Sequence, residues 1–519
     1  MDTLWSGNLL GGGTDLVTLH RLKLVVAALA ALLFARRAVL APTAVRRAER
    51  ALLIALAGCA WAVYLNFFAL HGGGTFVHLH DAAHTYLGAK YFSELRYDGL
   101  YPAMLRAEAE SYESRFRDRR ARDLDDGSVV HARELLVRSG AVRDRFTPAR
   151  WTDFKNDLAS FQRRLGGGYA NLLLDRGFNG PPPWVAVAGP LANLVPAGDW
   201  SALLRLLVAD VVLLAGVFVL VAWGFGWEGL LAALLYYAVL EGASLGWTTG
   251  SLLRNSWLFA LSAAAAALQR GRPLAAGVAL SFAALDRLFP AAFAVALMLR
   301  AVARRLREGA LPAADRRLLG SFAASSSVLL LATLAATGWS AWVEYGRSVL
   351  RVAWRNDSVN MLGLARLLGL DGSVFGVAAA ALCLALLVAL ALRRAQGLAP
   401  AATFALGLAL LYAGVVLYNY YYVALLLLAA GYARRPDLLA LLFAIEAATY
   451  TLELFEDRGA YIGWYRNVLV ALAIAASLRG GFAECRTTPA SGAEPNRSSP
   501  GADAAAGALH SPGASAPVA

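Results

Sequence analysis

Apolar runs close to membrane length recur along almost the whole chain, with arginines at their ends. They fall at about 22–40, 51–70, 203–223, 228–246, 252–268, 274–286, 288–301, 318–338, 374–392, 401–416, 418–433, 437–452 and 462–478. A bilayer core of about 30 Å is crossed by roughly 20 apolar residues in a helix, so the pattern predicts an all-α, polytopic transmembrane bundle. Counting every run gives about 11 to 13 spans, the shortest of which read as half-helices. The runs are rich in Leu, Ala and Val and lack alternation, which argues against a sheet-based barrel. A hydrophobic share of 58% over 519 residues fits the same class.

The net charge of +12 does not point to nucleic acid, because the basic residues sit where apolar runs stop. Placing the basic connectors 36–50, 269–272, 300–317, 393–394 and 434–435 on the cytoplasmic side gives a self-consistent path. Residues 1–50 then form an N-terminal segment whose apolar run either spans or lies in the interface. Residues 51–70 cross outward, 71–202 make a large external loop, 203–478 a multi-span domain and 479–519 a disordered cytoplasmic tail rich in Ala, Ser, Pro and Gly. The runs 274–286 and 288–301 become a short hairpin with Asp286-Arg287 at its outer tip. The first run has no small-residue cleavage site and precedes Arg36-Arg37, unlike a cleaved signal peptide. Cys59, Cys383 and Cys485 offer neither a disulfide framework nor a metal-binding spacing.

The external loop carries the chemistry-bearing residues. Its stretch 106–164 is rich in arginine but nearly balanced by acidic residues, and 151–161 reads as an amphipathic helix. The segment Gly180-Pro181-Pro182-Pro183-Trp184 opens a short apolar helix of interfacial type. Just beyond the 51–70 run comes His78-Leu79-His80-Asp81-Ala82-Ala83-His84-Thr85-Tyr86, with Lys90 and Tyr91 further along. A carboxylate at the lip of a membrane domain is costly to keep there without a use, and Asp81 suits the role of a base that takes a proton from an acceptor hydroxyl. The competing reading makes Asp81 the cap of the helix that follows it. On a helix, His80 and His84 share one face, the spacing of a metal pair, although no Glu lies between them. Hydrogen bonding to substrate by His80, His84 and Tyr86 is the other reading. Lys90 is a candidate for phosphate or an interfacial anchor.

Asp286-Arg287 interrupts an apolar stretch, which requires a cavity or an internal pair, and the planar fork of Arg287 suits phosphate. Further donors lie at Arg254-Asn255, Asn356 and the Tyr418-Asn419-Tyr420-Tyr421-Tyr422 run, at the depth where a sugar would bind. Tyrosines are also ordinary members of an interfacial belt.

Taken in order, several blocks resemble the GT-C superfamily of membrane glycosyltransferases, and most closely glycosyltransferase family 87, the polyprenol-phosphate-mannose-dependent mannosyltransferases. The blocks are Asp81, Tyr86-Leu87-Gly88-Ala89, Tyr91 and Gly99-Leu100-Tyr101, then Gly180-Pro181-Pro182-Pro183-Trp184 with Gly189-Pro190-Leu191. They continue with Gly250-Ser251 and Arg254-Asn255, Arg270-Gly271-Arg272, Ala276-Gly277, Arg287-Leu288-Phe289-Pro290 and Asn356-Asp357-Ser358. The likeness runs over residues 75–430. Arg287 stands where the family has lysine, Gly250-Ser251 where it has Gly-Gln, and the insertion 102–175 is longer than usual.

The resemblance implies a sugar, mannose or another hexose or pentose, moved with inversion from a polyprenyl-phosphate carrier to a glycan, lipid or protein acceptor. Asp81 would be catalytic, and Arg287, Arg254 and Lys90 would bind the donor phosphate. His80, His84, Tyr86, Asn255, Asp286, Asn356, Asn419 and Tyr420 would contact substrate. No cofactor is called for, and a divalent metal at His80 and His84 stays open. The expected location is multi-pass in a bacterial inner (cytoplasmic) membrane, surrounded by lipid, with the site facing outward and no nucleic-acid partner. The alternatives are a lipid or glycan transporter or flippase, which calls for midplane charges and repeated halves, and a polysaccharide polymerase or ligase, which differs in donor size. No repeat is evident.

Overall fold

In the computed structural model, residues 14–40, 46–72, 74–111, 119–354, 360–455 and 460–487 are described. The chain is all-α. Among these residues the strands are a three-residue hairpin, Arg120–Arg122 with Val129–His131, and a two-residue pair, Met361–Leu362 with Leu417–Tyr418. Among the described residues, four helices are long and apolar enough to cross a membrane: Leu16–Val39, Trp200–Val239, the Ala313–Leu350 part of Ala313–Trp354, and Val374–Arg394. Shorter apolar helices, among them Ser256–Gln269, Pro273–Asp286 and Ala402–Gly414, pack between them.

The run expected at 203–223 and the 228–239 part of that expected at 228–246 lie in one rod, Trp200–Val239, broken at Gly226, and the rest of the second run forms the short turns Glu241–Ala243 and Leu245–Thr248. Gly226 has φ +74°, a left-handed conformation that only glycine adopts without a Cβ clash, so the rod consists of two arms meeting at this residue. The hairpin expected around Asp286-Arg287 forms from Pro273–Asp286 and Ala291–Glu308.

Three local readings change. The 51–70 run is helical only as Arg46–Tyr64, and the chain then turns through left-handed Asn66, Phe67, Phe68 and Leu70. Asn66 holds that turn, accepting from Thr14 N at 2.9 Å, which ties it to the start of the first helix. The stretch 362–370, whose sequence reads as an amphipathic helix, makes only one helical turn, Leu364–Leu367, with Met361–Leu362 paired to Leu417–Tyr418 before it and left-handed Gly369 after it. The Pro182–Asn193 helix is wedged by Trp184, Val185, Ala188 and Ala192 against Leu79–Lys90 and Ala313–Trp354.

Residues of the 71–202 segment build a second hydrophobic core, separate from the main one of the bundle and completed by Leu203, Leu207, Leu252, Ala341 and Tyr345. Within it, the amphipathic helix Pro148–Leu165 buries Trp151, Phe154, Leu158, Phe161 and Leu165, the periodic stripe expected of it. The arginines of this region are neutralised locally, as in Arg119 with Glu108 at 2.6 Å and Arg150 with Glu94 at 2.7 Å. The centre of the module is Asp157, which is 2% exposed. It receives Lys90 Nζ at 2.7 Å, Tyr91 Oη at 2.8 Å and Ala197 N at 2.7 Å, fastening the insertion to the Leu79–Lys90 helix.

Candidate functional site

The Leu79–Lys90 helix begins where the module meets the bundle. Its cap is His78, whose Nδ1 accepts from Asp81 N at 3.1 Å. The capping role therefore belongs to His78, and the Asp81 carboxylate is free to point across the seam. Its Oδ2 accepts from Ser251 Oγ at 2.7 Å and from Arg254 at 2.5 Å. Burial pushes the Asp81 carboxyl up, but the Arg254 guanidinium, helped by His78 and Ser251, reverses this and holds it below the usual carboxylate range. Burial likewise pulls Arg254 down, and Asp81 with Tyr420 and Tyr421 more than restores it.

The loop that delivers Ser251 and Arg254 is built on Asp210, a fully buried aspartate of the Trp200–Val239 helix. Asp210 accepts from Gly250 N at 3.0 Å, Asn255 N at 2.7 Å and Asn255 Nδ2 at 3.0 Å. Gly250 O in turn accepts from His78 N at 2.8 Å, so the loop and the start of the Asp81 helix are registered directly. Gly250 has φ +98°, and a Cβ there would lie 1.9 Å from Phe76 O, so both its conformation and the close approach require glycine.

Aromatic rings line the bundle side. Arg254 lies over the Tyr420 ring at 4.8 Å, and Tyr420 stacks on Tyr418 at 5.3 Å. The rings continue through Tyr421, Phe289 and Trp257, with centroid separations of 4.5 and 4.7 Å. Arg287 sits over Trp184 at 5.7 Å. Arg176 donates to Tyr418 Oη at 2.8 Å. The half-buried Tyr418, Tyr420 and Tyr421, with Arg176 and Arg254 against them, offer stacking surfaces for a pyranose and forked donors for a phosphate.

The expected residues separate into those at this wall and those with other duties. Asp81, Arg254 and Tyr420 converge, and Arg287 sits over Trp184, whose indole N–H donates to Leu253 O at 3.3 Å. His80 and His84 lie beside Asp81, with their Nδ1 atoms 3.7 and 3.9 Å from Asp175 Oδ2. Burial pushes the His80 imidazole down to about 4, against the pull of Asp175. Lys90 is turned away from the site, its ammonium held by Asp157 and by Tyr86 Oη at 2.8 Å. Tyr86 itself donates to Val195 O inside the module. Asn255 serves Asp210. Asp286 accepts from Ser256 Oγ at 2.7 Å and so steadies the start of the Ser256–Gln269 helix. Asn419 donates to Glu241 at 2.8 Å. Asn356 lies outside the described residues.

Three residues of the site were not singled out from the sequence, Asp175, Arg176 and Asp210, and Ser251 was named there only within a motif and without a role. Asp210 carried a readable signal, a carboxylate inside an apolar run. Asp175-Arg176 carried only its place before the Gly177–Pro183 stretch.

Comparison with known proteins yields no match: no family model, no curated protein and no solved structure matches the chain.

Proposed function

We propose that the protein is an integral, multi-pass membrane glycosyltransferase that moves a sugar from a polyprenyl-phosphate carrier to an acceptor hydroxyl at the outer face of a bacterial inner membrane. One observation carries the reading. The Asp81 carboxylate is presented at the seam between the helical bundle and the 71–202 module, held by Arg254, which itself lies over the first of a run of aromatic rings. In the reaction, the acceptor oxygen attacks the anomeric carbon and its proton passes to Asp81. The bond from that carbon to the phosphate oxygen breaks, inverting the configuration, and polyprenyl phosphate leaves with its charge held by arginine. The donor phosphate competes with Asp81 for the Arg254 guanidinium. Binding of the donor thereby frees the carboxylate as it positions the sugar.

The transporter reading draws on a different feature, a buried charged cluster where Arg466 meets Glu241 at 3.3 Å and also pairs with Glu453, and Glu453 meets His20 at 2.9 Å. These groups neutralise one another, which suits a clamp between helices better than a path for cargo.

The test is transfer from polyprenyl-phosphate mannose, and from other polyprenyl-phosphate hexoses or pentoses, by the full chain in lipid nanodiscs. Asp81→Asn is expected to lower turnover by about 10²- to 10⁴-fold, the usual contribution of a positioned base, with the protein still folded. Arg287→Ala should weaken donor binding about 10- to 100-fold and Arg287→Lys less, since a fork of donors is lost in one and a charge kept in the other. Full activity of Asp81→Asn removes it as the base.

A further inference from the structure

The sequence offers His80 and His84 as a pair, and the fold brings a third group to them. The Leu79–Lys90 helix stacks the two imidazoles on one face, with ring centroids 5.0 Å apart. Asp175, reached only after the whole insertion has folded, faces both. The three ligand atoms lie within 4.8 Å of one another. The Nδ1 to Oδ2 separations of 3.7 and 3.9 Å are too long for hydrogen bonds. A tetrahedral ion with bonds of about 2.0–2.1 Å would set its ligands roughly 3.3 Å apart, so closing the set takes about half an ångström along each carboxylate–imidazole edge and at most about 1.5 Å between the imidazoles.

The surroundings fit a ligand set that is fixed at its back and open at its front. His84 Nε2 lies 2.8 Å from Tyr101 Oη, which also receives Gly177 N at 3.0 Å. Tyr101 thus orients the ring through the nitrogen that faces away from Asp175, and also anchors the loop that carries Asp175. A partner on the far nitrogen is the usual support of a metal-binding histidine. His84 Nδ1 lies 3.0 Å from His80 O, a bond that an ion would replace. His80 and His84 are nearly buried, whereas the Asp175 side chain is 39% exposed, so the set opens toward the aromatic wall. Two imidazoles and one carboxylate, with room for a further ligand, match the donor preferences of zinc and its neighbours better than those of magnesium or calcium.

We propose that His80, His84 and Asp175 bind one divalent transition-metal ion of the zinc class, one helical turn from Asp81, with its remaining position turned to an oxygen of the substrate. The ion site stands on its own geometry. Only the identity of that substrate oxygen, a phosphate oxygen of the polyprenyl-phosphate donor, rests on the proposed function.

The experiment uses the full chain without a histidine tag, purified in detergent and free of chelator. Elemental analysis is expected to find about one zinc per chain, and stripped protein to take up Co²⁺ with the visible bands of a nitrogen- and oxygen-ligated ion. Affinity for Zn²⁺, measured by competition with a chelating dye, should fall more than about tenfold in His84→Ala and in Asp175→Asn, and stay closer to wild type in Asp175→Glu. Asp175→Asn keeps the shape of a half-exposed side chain, so it reports on the ligand even where His84→Ala fails to fold. His131→Ala, an exposed histidine elsewhere in the module, should bind as wild type does.

Zinc-replete protein without bound metal, or wild-type affinity in Asp175→Asn, overturns the site. The two readings fail separately. Metal bound at these residues with no sugar transfer sinks the enzyme assignment and leaves the site. Transfer by protein that binds no metal does the reverse.

Discussion

Replacing Asp210 tests whether the loop that carries Ser251 and Arg254 is held from below, and its effect can be worked from three bonds. Asp210→Ala leaves Gly250 N, Asn255 N and Asn255 Nδ2 without their acceptor, in a place where Asp210 is 0% and Asn255 3% exposed. An unsatisfied buried donor costs about 1–3 kcal/mol, so the two backbone amides alone put the local loss at roughly 2–6 kcal/mol. At about 1.4 kcal/mol per tenfold, hydrogen exchange at residues 250 and 255 should accelerate by about 30-fold to 10⁴-fold. Exchange followed by mass spectrometry on peptides covering this loop, in detergent, reads the effect directly. Asp210→Asn should fall between wild type and Ala, since one oxygen still accepts while the new amide confronts a donor. Asp199→Ala is the control. It removes the cap bond of 3.0 Å to Ala202 N at the start of the same helix and should leave the loop amides unchanged. Wild-type protection of residues 250 and 255 in a folded Asp210→Ala protein would refute the claim that this carboxylate builds the loop.

Two further substitutions separate scaffold from site. Lys90→Met should destabilise the protein by about 3–5 kcal/mol by leaving Asp157 buried and uncompensated, seen as a lower thermal midpoint, with donor affinity unchanged. Weakened donor binding at wild-type stability would return Lys90 to the phosphate site. Gly250→Ala should cost at least about 1–3 kcal/mol for the left-handed backbone, before the clash with Phe76 O, and lower both stability and activity. Gly246→Ala, whose Cβ meets nothing within 4 Å, should be near neutral by the same thermal measurement.

The parts of this fold legible in the sequence are those set by local periodicity. The stripe of Trp151, Phe154, Leu158, Phe161 and Leu165 announces its helix because it repeats every three or four residues. The break at Gly226 shows as the gap between two apolar runs. What stayed hidden depends on contacts between distant segments. Lys90 reads as a phosphate ligand beside a histidine block until the insertion folds back and supplies Asp157. Asp286 reads as half of an Asp–Arg pair, yet its carboxylate goes to Ser256 and only its carbonyl meets Arg287, at 3.4 Å. Asp175 is invisible as a partner of His80 and His84, because nothing in the spacing says that the loop after the insertion returns to the helix before it.

Comparing the aspartates near the seam also narrows the chemistry. Asp210 gives its oxygens to the two ends of one loop, and Asp286 accepts from the residue that starts the next helix. Asp210 cannot take a proton from substrate without releasing the backbone it holds, and Asp286 is engaged by the Ser256 hydroxyl. Asp157 is enclosed by an ammonium, a tyrosine and an amide within the module. Two carboxylates remain exposed at the seam, Asp81 at 24% and Asp175 at 39%. Asp175 faces imidazoles and is suited to sharing an ion with them. Asp81 faces a hydroxyl and a guanidinium that a phosphate can claim, so under the proposed function it would become available as a base when a phosphate-bearing donor arrives.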